Sequence, residues 1–368
     1  MLRTGRLFPR LPACAYNAGE EILASKPLGT GSKLEMYRYL PLAALGLLSV
    51  IVNSVIVNLP PASAQPAKKP ASSKAPPESS RETVLVVVNG KRITDGELNR
   101  WLMTRKVPEE KRTSERDRFI EQLIDTRLIQ QFLDARDTKA SKKEIDEQVD
   151  RVRDAAKQRG SDPDKVLAEL GYTPQSLREE FALPIAWQHH LDRAIPAARL
   201  KAYFEEHRAE FDGTKVRASR ILVKPASGDD ADWQAAETKL AELRKQIVDK
   251  KLTFEKAARE HSQAPSKEQG GDVGEFPYVG KMPARFSREA FRLEVGEISQ
   301  PFRTPYGVEL CRVTDRQPGD YSLEDVRDEV LSRLSQELRT QTIADMRKEA
   351  KIEWKVEKQA KRSVSNVE

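Results

Sequence analysis

The side chains that most often carry chemistry are scarce in this chain of 368 residues. Its four histidines are His189, His190, His207 and His261, and none has the spacing of metal ligands. His189 and His190 are neighbours in a segment that reads as helix, so their rings point about 100° apart, which suits a surface role. The two cysteines are Cys14 and Cys311, with no C-x-x-C. Cys14 precedes an expected cleavage site, which leaves Cys311 with no internal disulfide partner. The expectation is no metal and no cofactor. What remains is non-covalent chemistry. Met282 and Phe286, four apart on one face of a short helix expected over 283–292, join Val273 and Phe276 from a glycine-containing turn. These four could line a dry apolar seat for a ligand or lie in an ordinary core, and spacing alone does not choose.

Charged residues make up 33 % and apolar residues 38 %, which suits amphipathic helices, and the length allows two or three cores. The net charge of +6 is the small difference between 63 basic and 57 acidic residues. They are interspersed, so no single-signed patch builds the field a nucleic acid needs. The expectation is no nucleic-acid partner.

Residues 40–59 are almost wholly apolar and are followed by Pro60-Pro61 and Ala62-Ser63-Ala64. Small residues at that A-x-A fit a signal peptidase. Residues 1–64 therefore read as a targeting region with a signal peptide, Met36 being a possible true start. The alternative is an uncleaved anchor, since about 20 apolar residues span a bilayer; the membrane enters only by this segment. Residues 65–82 are rich in Pro, Ala, Ser and Lys, and read as a disordered linker.

The elements come next. Val84 to Val88 is a β-branched run ending at the turn signal Asn89-Gly90. Thr94-x-x-Glu97 and Ser141-x-x-Glu144 are capping boxes. Asp162-Pro163 and Thr173-Pro174 place a capping residue before a first-turn proline. Helical spacing recurs through Ile120, Ile124, Leu128 and Phe132, so 94 to about 210 reads as a helical series. Strands are expected at 216–223 and 308–313, with helices at 231–250, after Thr253 and at 283–292. Ser322-Leu323-Glu324-Asp325 reads as a box opening a long helix with Val326, Val330, Leu334 and Leu338 on one face. Ile352, Trp354 and Val356 alternate as a final strand. A lone strand has no sheet, so it is expected to pair with residues 84–88, which makes the α+β segment an insertion.

The order of short motifs in that segment resembles the parvulin-type (PpiC, rotamase) peptidyl-prolyl cis-trans isomerases. Ala218-Ser219-Arg220-Ile221-Leu222-Val223 is similar to their first strand. Phe254-x-x-x-Ala258-x-x-x-Ser262 and Gly270-Gly271-Asp272-Val273-Gly274-Glu275-Phe276 are similar to their helix and glycine turn. Met282, Phe286, Ala290-Phe291, Val295-Gly296-Glu297-Ile298-Ser299 and Thr304-Pro305-Tyr306-Gly307-Val308 continue in family order. The flanks resemble SurA-type and PrsA-type secreted foldases through Val88-Asn89-Gly90 and Ile352-Glu353-Trp354. The resemblance implies an α+β parvulin domain, a small antiparallel sheet flanked by helices, inserted in a mainly helical SurA-like chaperone domain. Its bounds are 83–212 helical, 213–317 parvulin and 318–368 packing back on the first.

The resemblance also implies catalytic positions at Arg220, Ala264, Thr304 and Glu309, and substrate contacts at Val273, Phe276, Met282 and Phe286. Thr304 keeps the family residue. Arg220 and Glu309 stand where the family carries histidines, and Ala264 where it carries Asp or Cys. Arg220 and Glu309 are expected to form a buried ion pair. The implied function is a peptidyl-prolyl isomerase and foldase for exported proteins with weak catalysis, in the periplasm or cell envelope. The alternative is a non-catalytic holdase. The partners are unfolded or extended polypeptides containing proline. The exported protein is expected to begin at Gln65, and intact-mass spectrometry checks this: a mass that retains residues 40–59 would make that stretch an anchor.

Overall fold

The computed structural model describes residues 83–105 and 107–357. The apolar stretch at 40–59, the linker and Cys14 lie outside them. No helix among the described residues is long and apolar enough to cross a membrane.

Strand β1 (Val84–Val88) turns at Asn89 and Gly90, both with positive φ, into β2 (Lys91–Thr94). Two positive φ values in a two-residue loop match the right-handed twist of the strands, and Asn-Gly tolerates them best. Strand β2 was not expected: Lys-Arg-Ile-Thr has one apolar residue, Ile93, and it is buried. The final strand, β7 (Ile352–Trp354), pairs antiparallel with β1, Val86 facing Trp354 and Val88 facing Ile352. The sheet order is β2-β1-β7, so residues from the two ends of the described chain share one sheet.

Eight helices follow β2. They are α1 (Asp95–Thr104), α2 (Glu109–Ser114), α3 (Arg116–Asp134), α4 (Lys142–Gln158), α5 (Pro163–Glu169), α6 (Pro174–Ala194), α7 (Ala197–Glu206) and α8 (Arg208–Phe211). The expected caps form: Thr94 with Glu97, Ser141 with Glu144, Asp162 before Pro163, and Thr173 before Pro174. One face of α3 buries Ile120, Ile124 and Leu128 against Leu85, Val86 and Ile93. Each such side chain contributes roughly 1.5–3 kcal/mol.

The inserted segment runs β3 (Lys215–Val223), α9 (Asp230–Val248), α10 (Phe254–His261), β4 (Asp272–Pro277), α11 (Ala284–Phe291), β5 (Phe302–Thr304) and β6 (Gly307–Gln317). Its sheet is antiparallel, in the order β4-β3-β6-β5. One face buries Ile221, Val223, Val308 and Leu310 with Leu240, Leu243 and Phe254 of α9 and α10. The other buries Val216, Ala218, Cys311 and Val313 with Phe286 and Ala290 of α11.

Helix α12 (Arg327–Glu349) then returns to the first part. Ser322 and Asp325 do exchange hydrogen bonds, Ser322 N donating to Asp325 Oδ2 at 2.8 Å, but they close a separate turn. The helix starts a turn later than expected because Val326, at φ −118° and ψ 17°, is not helical. Val330 and Leu334 of α12 bury with Trp187, Leu191, Phe204 and Phe211. Arg347 donates to Asp125 at 2.6 Å and to Glu121 at 2.9 Å. Asn89 exchanges bonds with Lys351, its N donating to the Lys351 carbonyl at 2.9 Å and its Oδ1 accepting from Lys351 N at 2.8 Å.

Removing residues from Ser322 onward takes away β7, α12 and the Arg347 contacts together. Hydrogen exchange on that truncation should show loss of protection across 84–135 with 215–317 largely retained. Unchanged protection in 84–135 would show that the returning helix contributes little there.

Candidate functional site

Arg220 lies mid-way along β3, and its cross-strand partner on β6 is Cys311; Glu309 faces Leu222 two pairs further on. Side chains two apart on a strand share a face, so Arg220, Leu222, Glu309 and Cys311 lie on the α11 side. The β5–β6 hairpin adds Thr304, which pairs with Gly307, while Phe302 pairs with Glu309. Three of the four polar-position residues expected from the sequence, Arg220, Thr304 and Glu309, are thus brought to one patch.

Glu309 has no exposed surface, and the Arg220 side chain is 15 % exposed. Arg220 Nη1 and Glu309 Oε2 are 3.7 Å apart, close enough for attraction and too long for a hydrogen bond. Arg220 Nε and Glu309 Oε2 are both buried without a hydrogen-bond partner. The other carboxylate oxygen lies 2.8 Å from Thr304 Oγ1, which also lies 3.1 Å from the Gly307 carbonyl and accepts from Tyr306 N. Burial raises the Glu309 carboxyl above the usual range, against the Thr304 hydrogen bond and the Arg220 charge, which both lower it. The local bonding agrees. Thr304 has one hydroxyl proton for two acceptors. A proton on Glu309 Oε1 would donate to Thr304 and free the Thr304 hydroxyl for Gly307. Burial also pushes the neighbouring Cys311 thiol far above its usual range, which makes it unreactive.

Ala264 is buried, and its N donates to Ser262 Oγ, which also accepts from Leu222 N. The stretch after α10 therefore runs against β3. Further on, Arg220 N donates to Gly271 O at 2.8 Å. Gly271 has φ +90°, and a Cβ there would lie 2.5 Å from the Arg220 carbonyl, so only glycine allows this approach.

The apolar residues divide into two layers. Val273 and Met282 are half-buried, whereas Phe276 and Phe286 have no exposed surface. The Phe276 and Phe286 rings are 5.8 Å apart, and Phe286 is 6.1 Å from Phe302. Met282 and Phe286 do not share a helical face as expected. Met282 precedes Pro283, the N-cap of α11, and a residue before proline is disfavoured in helical geometry. Val273 and Met282 are thus the accessible rim, with Phe276 and Phe286 beneath them. Sequence reading missed Phe302, which links Glu309 across the strands to Phe286, and Tyr278, edge-on to Phe291 at 5.1 Å. The alternation of Phe302 and Thr304 was the available signal.

His189 and His190 are partly exposed, in keeping with a surface position, and both are engaged with neighbours. His189 lies within 2.8 Å of Glu144 and 3.1 Å of the Lys139 carbonyl, and His190 stacks edge-on to Phe132 at 4.9 Å. Among the described residues no group of three or more His, Cys, Asp or Glu is placed to hold a metal ion.

Comparison with known proteins adds four findings. Residues 221–315 match the family model described as Rotamase: PPIC-type PPIASE domain. The chain is 31 % identical over 206 residues to a foldase protein PrsA of Geobacillus kaustophilus, covering 55 % of this chain and 65 % of that relative, slightly under two thirds. It is 30 % identical over 222 residues to a foldase protein PrsA of Geobacillus sp. (strain WCH70), covering 58 % of this chain and 72 % of the relative. It is also 33 % identical over 149 residues to a chaperone SurA of Alkalilimnicola ehrlichii, covering 39 % and 34 %.

The buried carboxyl sets a pH test. A folded-state pKa raised above the unfolded value means that the native state holds the proton longer, so the unfolded state binds fewer protons between the two values and stability falls as pH rises through that window. Glu309→Gln keeps an acceptor for Thr304 and removes the charge. Its unfolding free energy should exceed the parent's at neutral pH by on the order of 1 kcal/mol, with the gap closing below the ordinary glutamate range. A variant less stable at neutral pH than at acid, relative to the parent, would show that the ion pair outweighs desolvation.

Proposed function

The chain belongs to the PrsA foldase family, and from that premise we propose that it assists the folding of exported proteins by binding extended proline-containing segments at the β3–β6 face and turning their prolyl bonds weakly. The observation that carries this reading is the match of residues 221–315 to a PPIC-type domain whose polar positions stand on one sheet face beside a half-buried apolar rim.

The chemistry asks for little. Prolyl isomerisation makes and breaks no covalent bond, and its barrier of about 20 kcal/mol comes from amide resonance. A catalyst must favour the twisted amide over the planar one. Val273 and Met282, backed by Phe276 and Phe286, supply a dry seat for the pyrrolidine ring. A seat of this kind holds planar and twisted amides alike, so it lowers the dissociation constant without lowering the barrier. Only polar groups set against the rotating amide can discriminate. Here Glu309 is wholly buried and Arg220 is its neighbour at 3.7 Å, so little of this polar layer is free to meet the peptide. That observation favours the second reading, a holdase that binds through the same seat without catalysis. The export address is the envelope or periplasm, and it rests on the Ala62-Ser63-Ala64 signal and on the premise of the family.

An isomerase assay on a short prolyl peptide separates the two readings. Replacing Arg220 and Glu309 together by His should raise turnover about tenfold, equivalent to roughly 1.4 kcal/mol of preferential stabilisation. Changing both avoids stranding one buried charge. Met282→Ala should weaken peptide binding in either case. A folded double variant that binds peptide as before with no gain in turnover would refute the polar-layer account and turn attention to Ala264.

A further inference from the structure

Far from the prolyl face, the helical part encloses a cavity of about 540 Å³, within the range of small-ligand sites, roughly 300–1,000 Å³. It lies among α1, α3, α6 and α12, so its wall is complete only once the chain has returned after the inserted segment. Trp101, Leu123, Leu183, Trp187 and Leu191 make its apolar surface.

Its charges do not cancel. Arg127 is neutralised by Glu97 at 2.6 Å. Arg100, Arg105 and Arg339 also line the cavity, and among the described residues none of the three has a carboxylate oxygen within 4 Å. Arg105 sits over Trp101 at 4.2 Å and Arg339 over Trp187 at 5.7 Å. Stacking occupies a guanidinium's face and leaves its edge donors available. Two further acids line the cavity: Glu179 is exposed and accepts from Gln175, and the half-buried Glu180 has its carboxyl raised by burial toward the neutral form, against the charges of Arg105 and Arg100. Burial likewise lowers Arg105 and Arg339, by more than the charges of Glu180 and Asp125 raise them. A separate observation concerns Ser335. It is 4 % exposed, it lines the cavity, and its Oγ has no hydrogen-bond partner. A buried hydroxyl without a partner costs about 1–3 kcal/mol, and a ligand oxygen would relieve it.

We infer that this cavity is a binding site for a carboxylate carried on an apolar body, the acid meeting Arg105, Arg339 and Ser335 and the body lying on Trp101 and Trp187. The carboxylate can come from a polypeptide's C-terminal residue or from a free amphipathic acid. The prolyl site has no part in the argument, so its failure and this one are separable.

Calorimetric titration of the full chain with 4-phenylbutyrate and with N-acetyl-Phe-Leu, each against its neutral amide, tests the site. At least one acid should bind, with its amide about tenfold weaker. Binding by the peptide acid alone would assign the source to a polypeptide end; binding by phenylbutyrate would assign it to a free acid. Arg339→Gln and Arg105→Gln should each weaken the acid about tenfold with no fall in melting temperature. The inference is overturned if neither acid binds the folded protein at millimolar concentration or if acid and amide bind alike. Inorganic phosphate binding as tightly as the acid, or both variants binding like the parent, would overturn it as well.

Discussion

The antiparallel pairing of β1 with β7 is the constraint on which the rest of this structure depends. Three cross-strand pairs join Val86, Val87 and Val88 to Trp354, Glu353 and Ile352. A three-residue strand is too short to be stable alone, so its position comes from what is attached to it. Helix α12 delivers it, held to α3 by Arg347 and buried through Val330 and Leu334. Each piece is weak in isolation and over-determined together. Closing so long a loop costs only slowly more with length, which is why a whole α+β segment can be carried between the paired ends.

That arrangement separates two kinds of surface. The inserted sheet has its own cores on both faces and does not draw on β1 or α3. The helical part, by contrast, has a cavity whose wall includes residues from both sides of the insertion, Trp101 and Trp187 before it and Ser335 and Arg339 after it. Folding of the helical part is therefore coupled to completion of the chain, whereas the sheet is made of residues closer in sequence.

At the β3–β6 face the dominant physical effect is desolvation. Glu309 carries a potential charge in a place with no solvent, one hydroxyl neighbour and a guanidinium too distant to hydrogen-bond. Attraction at that range does not offset loss of water for a fully buried carboxylate, and the carboxyl rises accordingly. A polar layer buried away from solvent is poorly placed to stabilise a rotating amide. An apolar rim of Val273 and Met282 is unaffected by this, so in the proposed reading binding and catalysis would separate at one site.

Much of the fold was legible in the sequence because its signals are local. Capping boxes at Thr94 and Ser141 depend on residues three apart, and the periodicity of Ile120, Ile124 and Leu128 reflects one helix face. The pairing of the two end strands followed from elimination, since a lone strand needs a partner. The motif order from Ala218 to Val308 marked the inserted domain, and Arg220, Thr304 and Glu309 could be named for one patch. Other features depended on tertiary packing. Strand β2 forms around a single buried Ile93 because β1 and the Asn89-Gly90 turn bring it there. Met282 is displaced from the face of Phe286 by Pro283, and Phe276 and Phe286 became a buried layer because α11 lies flat on the sheet. The burial of Glu309, and the unpaired arginines of a cavity whose walls lie more than two hundred residues apart in sequence, could not be read locally. Solvent exclusion and the sign of a local field are sums over every neighbour in space, and sequence order lists only neighbours along the chain.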